Sequence, residues 1–392
     1  MKTKVTTEKL PILLWVDNLE EEALGQAKNL ANLPFAFHHI ALMADAHVGY
    51  GMPIGGVLAT EGAVIPNGVG VDIGCGMCAV ATGLRELSHE QLKDIHRTLQ
   101  QVVPLGFKHH RRPRSSELMP PVPGGFDLAD LPVVAAEFAS ARRQLGTLGG
   151  GNHFMEIQQG SDGHIWLMVH SGSRNLGYQV AGVYNKLAIR LAEKGGTRIL
   201  PAKWQLDFLP LGSEEGERYL REMRYCVEFA KANRREMMQQ MQEVVAELSG
   251  CDSFGQAIDV AHNYAAMEEH FGREVCVHRK GATRAGQGEQ GIIPGSQGSF
   301  SYIVRGLGNA DAFSSCSHGA GRVMGRKEAQ RQLDLEEELA KLKRRNVVHG
   351  IRSRKHLDEA PGAYKNIEQV MANQQDLVTI EVELQPLAVV KG

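Results

Sequence analysis

Short apolar runs alternate along the chain with charged, helix-forming stretches. Ile165-Trp166-Leu167-Met168-Val169 and Tyr302-Ile303-Val304 are rich in β-branched and aromatic residues and predict strands, as does Val275–Val277. Val378–Val390 alternates through Thr379, Glu381 and Glu383, the pattern of a late strand with one polar face. Glu214–Leu248 and Arg322–Arg345 are charged and rich in helix formers, and predict helices. The methionines of the first predict packing rather than a ligand site. His262-Asn263 is expected in a helix running through Ala266 to His270. Pro104–Pro132 has many prolines and little periodicity, and predicts a long surface loop.

No unit of about 20–50 residues repeats, and no linker interrupts the pattern. The expectation is an α+β fold: a single large domain over residues 1–392, with mixed and antiparallel β-sheets flanked by helices. Leu10–Val16 is too short and too late for a signal peptide. No stretch approaches the roughly 20 apolar residues that span a bilayer, so a cytoplasmic protein is expected, without membrane contact.

Composition narrows the function. A hydrophobic fraction of 43% and a charged fraction of 22% fit an ordinary globular protein. The net charge of −2 does not fit a general nucleic-acid coat, so any RNA contact must come from local patches. Two basic runs offer themselves: His109–Arg114, and Lys341–Arg345 with Arg352, Arg354 and Lys355. Either could equally be a solvated helix end or loop. Six irregularly spaced cysteines argue against a disulfide framework.

The 44 glycines concentrate in a few loops, each carrying polar residues, which suggests one composite site. In Val71–Cys78, Asp72 offers a carboxylate and Cys75 a thiolate between two glycines. Gly149–Glu156 places His153 where a glycine turn meets a strand, with Asn152, Phe154 and Glu156 on one face. His170 ends an apolar run, and His262 completes the set. Asp72, Cys75, His153, His170 and His262 suffice for one divalent ion, or for two bridged by the thiolate. From spacing alone, each histidine is more often structural than ligating. Ligand softness would favour zinc at such a site, so residue chemistry does not select manganese. Cys75 and Cys78 could also form a redox pair.

A second group points to phosphate. Ser314–Gly321 carries His318 before an expected helix near Arg322, where free N–H groups would suit a phosphate. A neutral imidazole there could attack a nucleotide's α-phosphorus. Arg279–Arg284 and Pro294–Gly298 are loops of similar character, and no Walker-type motif occurs.

In order, these segments resemble the RtcB family of RNA-splicing ligases. The matching pieces are Asp45–Gly51, Val71–Gly76, Gly149–Glu156, His170–Arg174, His262-Asn263, His278–Ala285, Pro294–Gly298, Ser317–Arg322, Ala363–Ile367 and Val390–Gly392. The resemblance implies an enzyme that uses GTP and manganese to join an RNA 3′-phosphate or 2′,3′-cyclic phosphate to a 5′-hydroxyl, in tRNA splicing or RNA repair. It implies two Mn(II) ions on Asp72, Cys75, His153, His170 and His262, with Cys75 bridging, and guanylylation of His318.

It further implies GTP contacts from Asn152, His153, Phe154, Met155, Glu156, His262, Asn263, Pro294, Gly295, Ser296, Gln297 and Ser301. His318, Gly319, Ala320, Gly321, Tyr364 and Lys391 complete that set, Lys391 reaching the base. A monomer is expected, with room for an accessory activating protein. Gln297 stands where the family usually has Met, Pro104–Pro113 does not look like the family sequence, and Cys78 adds a second thiol. The competing readings are a metal-dependent phosphoesterase without covalent nucleotide, a non-catalytic RNA-binding protein, and a Cys75/Cys78 redox protein.

Overall fold

A computed structural model describes residues 1–194 and 198–392. One six-stranded sheet runs in the order Thr3–Val5, Ile12–Leu14, Ala36–Tyr50, Met52–Thr60, Arg273–Lys280, Asn263–His270. Its neighbours are antiparallel except Ile12–Leu14, which lies parallel to Ala36–Tyr50. A seven-stranded antiparallel sheet runs Ile258–Ala261, Gly76–Ala81, Ile165–Ser171, Phe154–Gly160, Val378–Lys391, Ser301–Gly306, Gln290–Ile293. With the helices around them, these sheets make the α+β fold that the pattern predicts.

The helix Glu214–Ser249 matches its expected span within one residue. Ser213 caps it by accepting from the Gly216 N–H, three glutamates occupy its first turn, and Gly250 ends it in the left-handed region. Met237, Met238 and Met241 pack onto Leu167 and Val169 of the seven-stranded sheet. Tyr219, Met223 and Phe229 fill a second core against the helix Arg174–Lys194. Burying each such side chain contributes roughly 1.5–3 kcal/mol. The methionine stripe is therefore packing, as its spacing suggests.

Three expectations need correction. His262 is not helical: it joins the strands Ile258–Ala261 and Asn263–His270, the second of which pairs with Arg273–Lys280 along its whole length. Cross-strand pairing overrides the helix propensity of Ala265, Ala266 and Met267. No helix begins at Arg322, which makes a bridge to Tyr364; helices cover Arg326–Gln332 and Leu335–Arg344, separated at Leu333-Asp334. Consequently His318 follows a strand, Ser315–Ser317, and does not sit at a helix N-terminus.

Pro104–Pro132 is a loop broken only by three single turns of 3-10 helix. Val378–Lys391 pairs on both sides, with a register shift between Pro386 and Ala388, where the missing proline N–H interrupts the ladder. All six cysteines are free and buried. Among the described residues no helix is long and apolar enough to cross a membrane.

Candidate active site

Two adjacent residues of the long helix organise the loops that carry the candidate metal ligands. Asn233 accepts from the Gly146 and Thr147 N–H groups and donates to the carbonyls of Thr147 and Gly172. Arg234, almost wholly buried, forms two bonds to Asp259 at 2.9 and 2.6 Å. Its remaining donor reaches the carbonyls of Gly74 at 2.8 Å and Ser171 at 3.0 Å. The loop carrying Cys75, the strand end carrying His170 and the approach to His153 thus hang from one helical turn.

Those three side chains meet. Cys75 Sγ lies 3.4 Å from His153 Nε2 and 3.3 Å from His170 Nε2, and the three ligand atoms form a group compact enough for one metal ion. Asp72 Oδ2 is 3.0 Å from His153 Nε2. The His170 Nδ1–H donates to the Asn152 carbonyl at 3.1 Å, which leaves Nε2 unprotonated and facing the thiol. The His262 ring stands 5.2 Å from that of His170, and its buried Nδ1 has no partner among the described residues. A β-carbon on Gly149 would come within 2.2 Å of His153 Nδ1, and one on Gly172 within 2.2 Å of the Asp72 carboxylate. Only glycine fits at these close approaches. Burial pushes the Cys75 thiol and the His170 and His262 imidazoles toward their neutral forms.

His318 stands beside this cluster, its ring 4.8 Å from His262. Fully buried Asp45, on the strand Ala36–Tyr50, lies 2.6 Å from His318 Nδ1. The same Oδ2 accepts from the backbone N–H groups of His318 and Gly319 at 3.1 and 3.2 Å. Burial alone would raise the Asp45 pKa, but the neighbouring His318 holds the carboxyl below its usual range. Nδ1 therefore faces a carboxylate, and Nε2 is the ring nitrogen turned away from Asp45.

Beyond His318 opens a cavity of about 660 Å³. Glu359 forms the hub of one wall. It pairs with Arg322 at 3.0 Å, Arg326 at 2.9 Å and Lys391 at 3.5 Å, and accepts from the Tyr364 hydroxyl. Burial works against the charge, yet Lys391 and Arg322 hold Glu359 at about 2. Arg322 also lies over the Tyr364 ring at 5.1 Å. Glu156 is buried on another wall, where desolvation pushes it up to about 8 despite Lys391. Lys391 itself sits 5.5 Å above the Phe154 ring.

The expected nucleotide contacts divide three ways. Asn152, Phe154, Glu156, Pro294, Gly295, Ser296, Gln297, His318, Gly319, Ala320, Gly321, Tyr364 and Lys391 all line the cavity. His153 joins Cys75 and His170 in the candidate metal-ligand group instead, and His262 stands beside that group without being part of it. Met155, Asn263 and Ser301 do not reach the cavity. Met155 alternates to the opposite face and packs with Ile157 and Val390. Asn263 donates to the Asp72 carbonyl and accepts from the Gly281 N–H. The Ser301 hydroxyl holds the Gly295 N–H at 3.1 Å.

Gln297 spends its amide on the Glu359 carbonyl at 2.7 Å. Cys78 packs with Val80 and Met238 in the core rather than beside Cys75, which leaves the redox reading without a pair. Sequence reasoning gave no role to Asp45, Asn233, Arg234, Arg326 or Glu359. For Asp45 a signal existed: a lone carboxylate inside the apolar run Ile40–Ala46 asks for a partner.

The chain matches the family model described as tRNA-splicing ligase RtcB over residues 26–121 and 123–392. It is 38% identical to the RNA-splicing ligase RtcB of Escherichia coli K12, over 99% of both chains. It is 34% identical to the tRNA-splicing ligase RtcB of Thermococcus kodakarensis, over 95% of this chain and 92% of that one. With the RNA-splicing ligase RtcB of Mycobacterium tuberculosis it shares 33% identity, over 94% of this chain and the whole of the other.

Proposed function

The chain belongs to the RtcB family of RNA-splicing ligases, and from that premise we propose that it joins RNA 3′-phosphate or 2′,3′-cyclic phosphate ends to 5′-hydroxyl ends, consuming GTP through a guanylylated His318. The observation that carries this reading is the Asp45–His318 pair. It anchors a half-buried imidazole by Nδ1 and leaves Nε2 as its second ring nitrogen, at the boundary between the candidate metal-ligand cluster and the cavity.

The unpartnered His262 Nδ1 and the Cys75, His153 and His170 group fit a bound cation. Asp72, Cys75, His153, His170 and His262 would hold two manganese ions, which would neutralise phosphate charge during transfer. His318 Nε2 attacks the α-phosphorus of GTP, the bond to the β-phosphate breaks, and pyrophosphate leaves. The ring then carries GMP and a positive charge, which the Asp45 carboxylate opposes. An RNA 3′-phosphate oxygen takes the guanylate, freeing His318. The 5′-hydroxyl oxygen attacks the activated 3′-phosphorus, loses its proton, and expels GMP. A cyclic phosphate is first hydrolysed to the 3′-phosphate. Glu156 and Lys391 read the base, and Tyr364 borders it.

The test uses purified protein, manganese and GTP labelled at the α-phosphate, denatured and assayed for protein-bound label. Acid-labile label that needs GTP rather than ATP and disappears in His318→Ala is expected. Folded, manganese-loaded protein that takes no label would sink the covalent mechanism and leave a metal-dependent phosphoesterase as the better account.

A further inference from the structure

Phe107 is 98% exposed, the most exposed large apolar side chain among the described residues. A single surface phenylalanine means little by itself. This one is followed by Lys108, His109, Arg111 and Arg112, all exposed. Among the described residues, neither Lys108, Arg111, Arg112 nor neighbouring Arg143 lies within 4.0 Å of a carboxylate. Arg114, the next cation along, is spent on Glu236 at 2.8 Å. In a chain of net charge −2, this concentration of unpaired positive charge around an aromatic ring is a local exception.

The loop is also fixed in place beside the metal-ligand cluster. Its Gly106 carbonyl accepts from Arg174 Nη2 at 2.8 Å, and Arg174 Nε bonds Thr147 Oγ1 at 3.1 Å. The Leu148 N–H donates to the Pro104 carbonyl at 3.0 Å, and the His110 N–H to the Arg143 carbonyl at 2.9 Å. The backbone on both sides of Phe107 is thus tied to the segment that leads through Gly149 to His153. The ring is held outward on a braced loop, and none of the described residues covers it.

We propose that this loop receives single-stranded RNA next to the joined ends: Phe107 stacks on an unpaired base while Lys108, Arg111 and Arg112 contact phosphates on either side of it. The proposal rests on the RNA-ligase reading and adds a substrate preference to it. An aromatic face can stack only on a base that is free of its partner, so unpaired ends are favoured over blunt duplex ends. Exposed cations without carboxylates suit a polyanion, whose counterions they replace.

The experiment compares wild type with Phe107→Ala, Phe107→Trp and the double variant Arg111→Ala/Arg112→Ala. Binding of a fluorescent single-stranded RNA is followed by anisotropy across salt concentrations, together with ligation kinetics and RNA-free guanylylation. Phe107→Ala is expected to weaken binding and raise the RNA KM by about five- to a hundredfold, as removal of one base stack does. Its guanylylation rate and melting temperature stay at the wild-type level, and Phe107→Trp restores affinity. The double arginine variant lowers the slope of log K against log salt by about 0.7 for each phosphate it no longer neutralises. Wild-type RNA affinity and KM in Phe107→Ala overturn the proposal, as does equal use of blunt duplex and single-stranded ends. Failure of wild-type protein to take guanylate overturns the ligase reading instead, and the anisotropy series still judges the loop.

Discussion

Around Glu359 one carboxylate meets two guanidinium groups, an ammonium and a phenol; around Cys75 a thiol, a carboxylate and three imidazoles gather with Asp72 paired only to His153 among the described residues. The first arrangement is satisfied by the protein's own charges and is complete without a ligand. The second leaves buried nitrogens without partners among the described residues, and burial pushes its own groups toward neutrality, a donor set that could hold a cation. The cavity thus borders one group whose charges are met within the chain and one whose donors are not, and substitutions should separate the two.

The largest effect is expected at Cys75. Cys75→Ala should lower ligation at least about a thousandfold, since charge neutralisation at the transferring phosphate fails. The melting temperature of metal-free protein should move by no more than about 2 °C, because a neutral thiol there holds little together. A collapse of the metal-free fold would erase the contrast.

Next comes Glu359→Gln, which strands Arg322 and Lys391 and should destabilise the protein by about 3 kcal/mol at neutral pH, read by denaturant unfolding. The pH dependence has a definite sign. A carboxylate held at about 2 in the fold and 4.5 ordinarily contributes stability that is present above pH 4.5 and is lost as pH falls toward 2. The deficit of Glu359→Gln should therefore shrink across that window. A constant deficit would assign the effect to packing.

The smallest effect concerns Glu156. Its carboxyl is raised to about 8, so free protein at pH 7 holds a proton there that an unfolded chain would not. That contribution to stability is full below pH 4.5 and disappears as pH rises through about 8. Binding a base edge rich in N–H donors favours the carboxylate, so GTP binding at pH 7 should release most of one proton. Calorimetry in buffers of different ionisation enthalpy measures this, and buffer-independent heats at pH 7 would refute it.

What the sequence disclosed and concealed follows from locality. Glu214–Ser249 was legible because its charges, cap and terminal glycine all lie within the element. The strand Ala36–Tyr50 was not, because it is buried on both faces through its middle and lacks alternation. His262 misled because alanines and glutamates favour a helix until a partner strand overrules them. Most predicted side chains do converge, since motif and geometry share the same loops. Asp45 and Glu359 escaped because each acquires meaning only through residues hundreds of positions or several elements away, a relation that composition and spacing do not carry.

The strand Val378–Lys391 lies between Phe154–Gly160 and Ser301–Gly306, in the interior of the seven-stranded sheet. During synthesis that slot stays open until the strand Val378–Lys391 has itself been made. Strand 154–160 must wait for a neighbour made hundreds of codons later, and Glu156 for the lysine that neighbour delivers. Until then Phe154–Gly160 and Ser301–Gly306 each present an open strand edge that invites chaperones or aggregation. Completion of the sheet and arrival of Lys391 beside Glu156 and Glu359 are therefore one event.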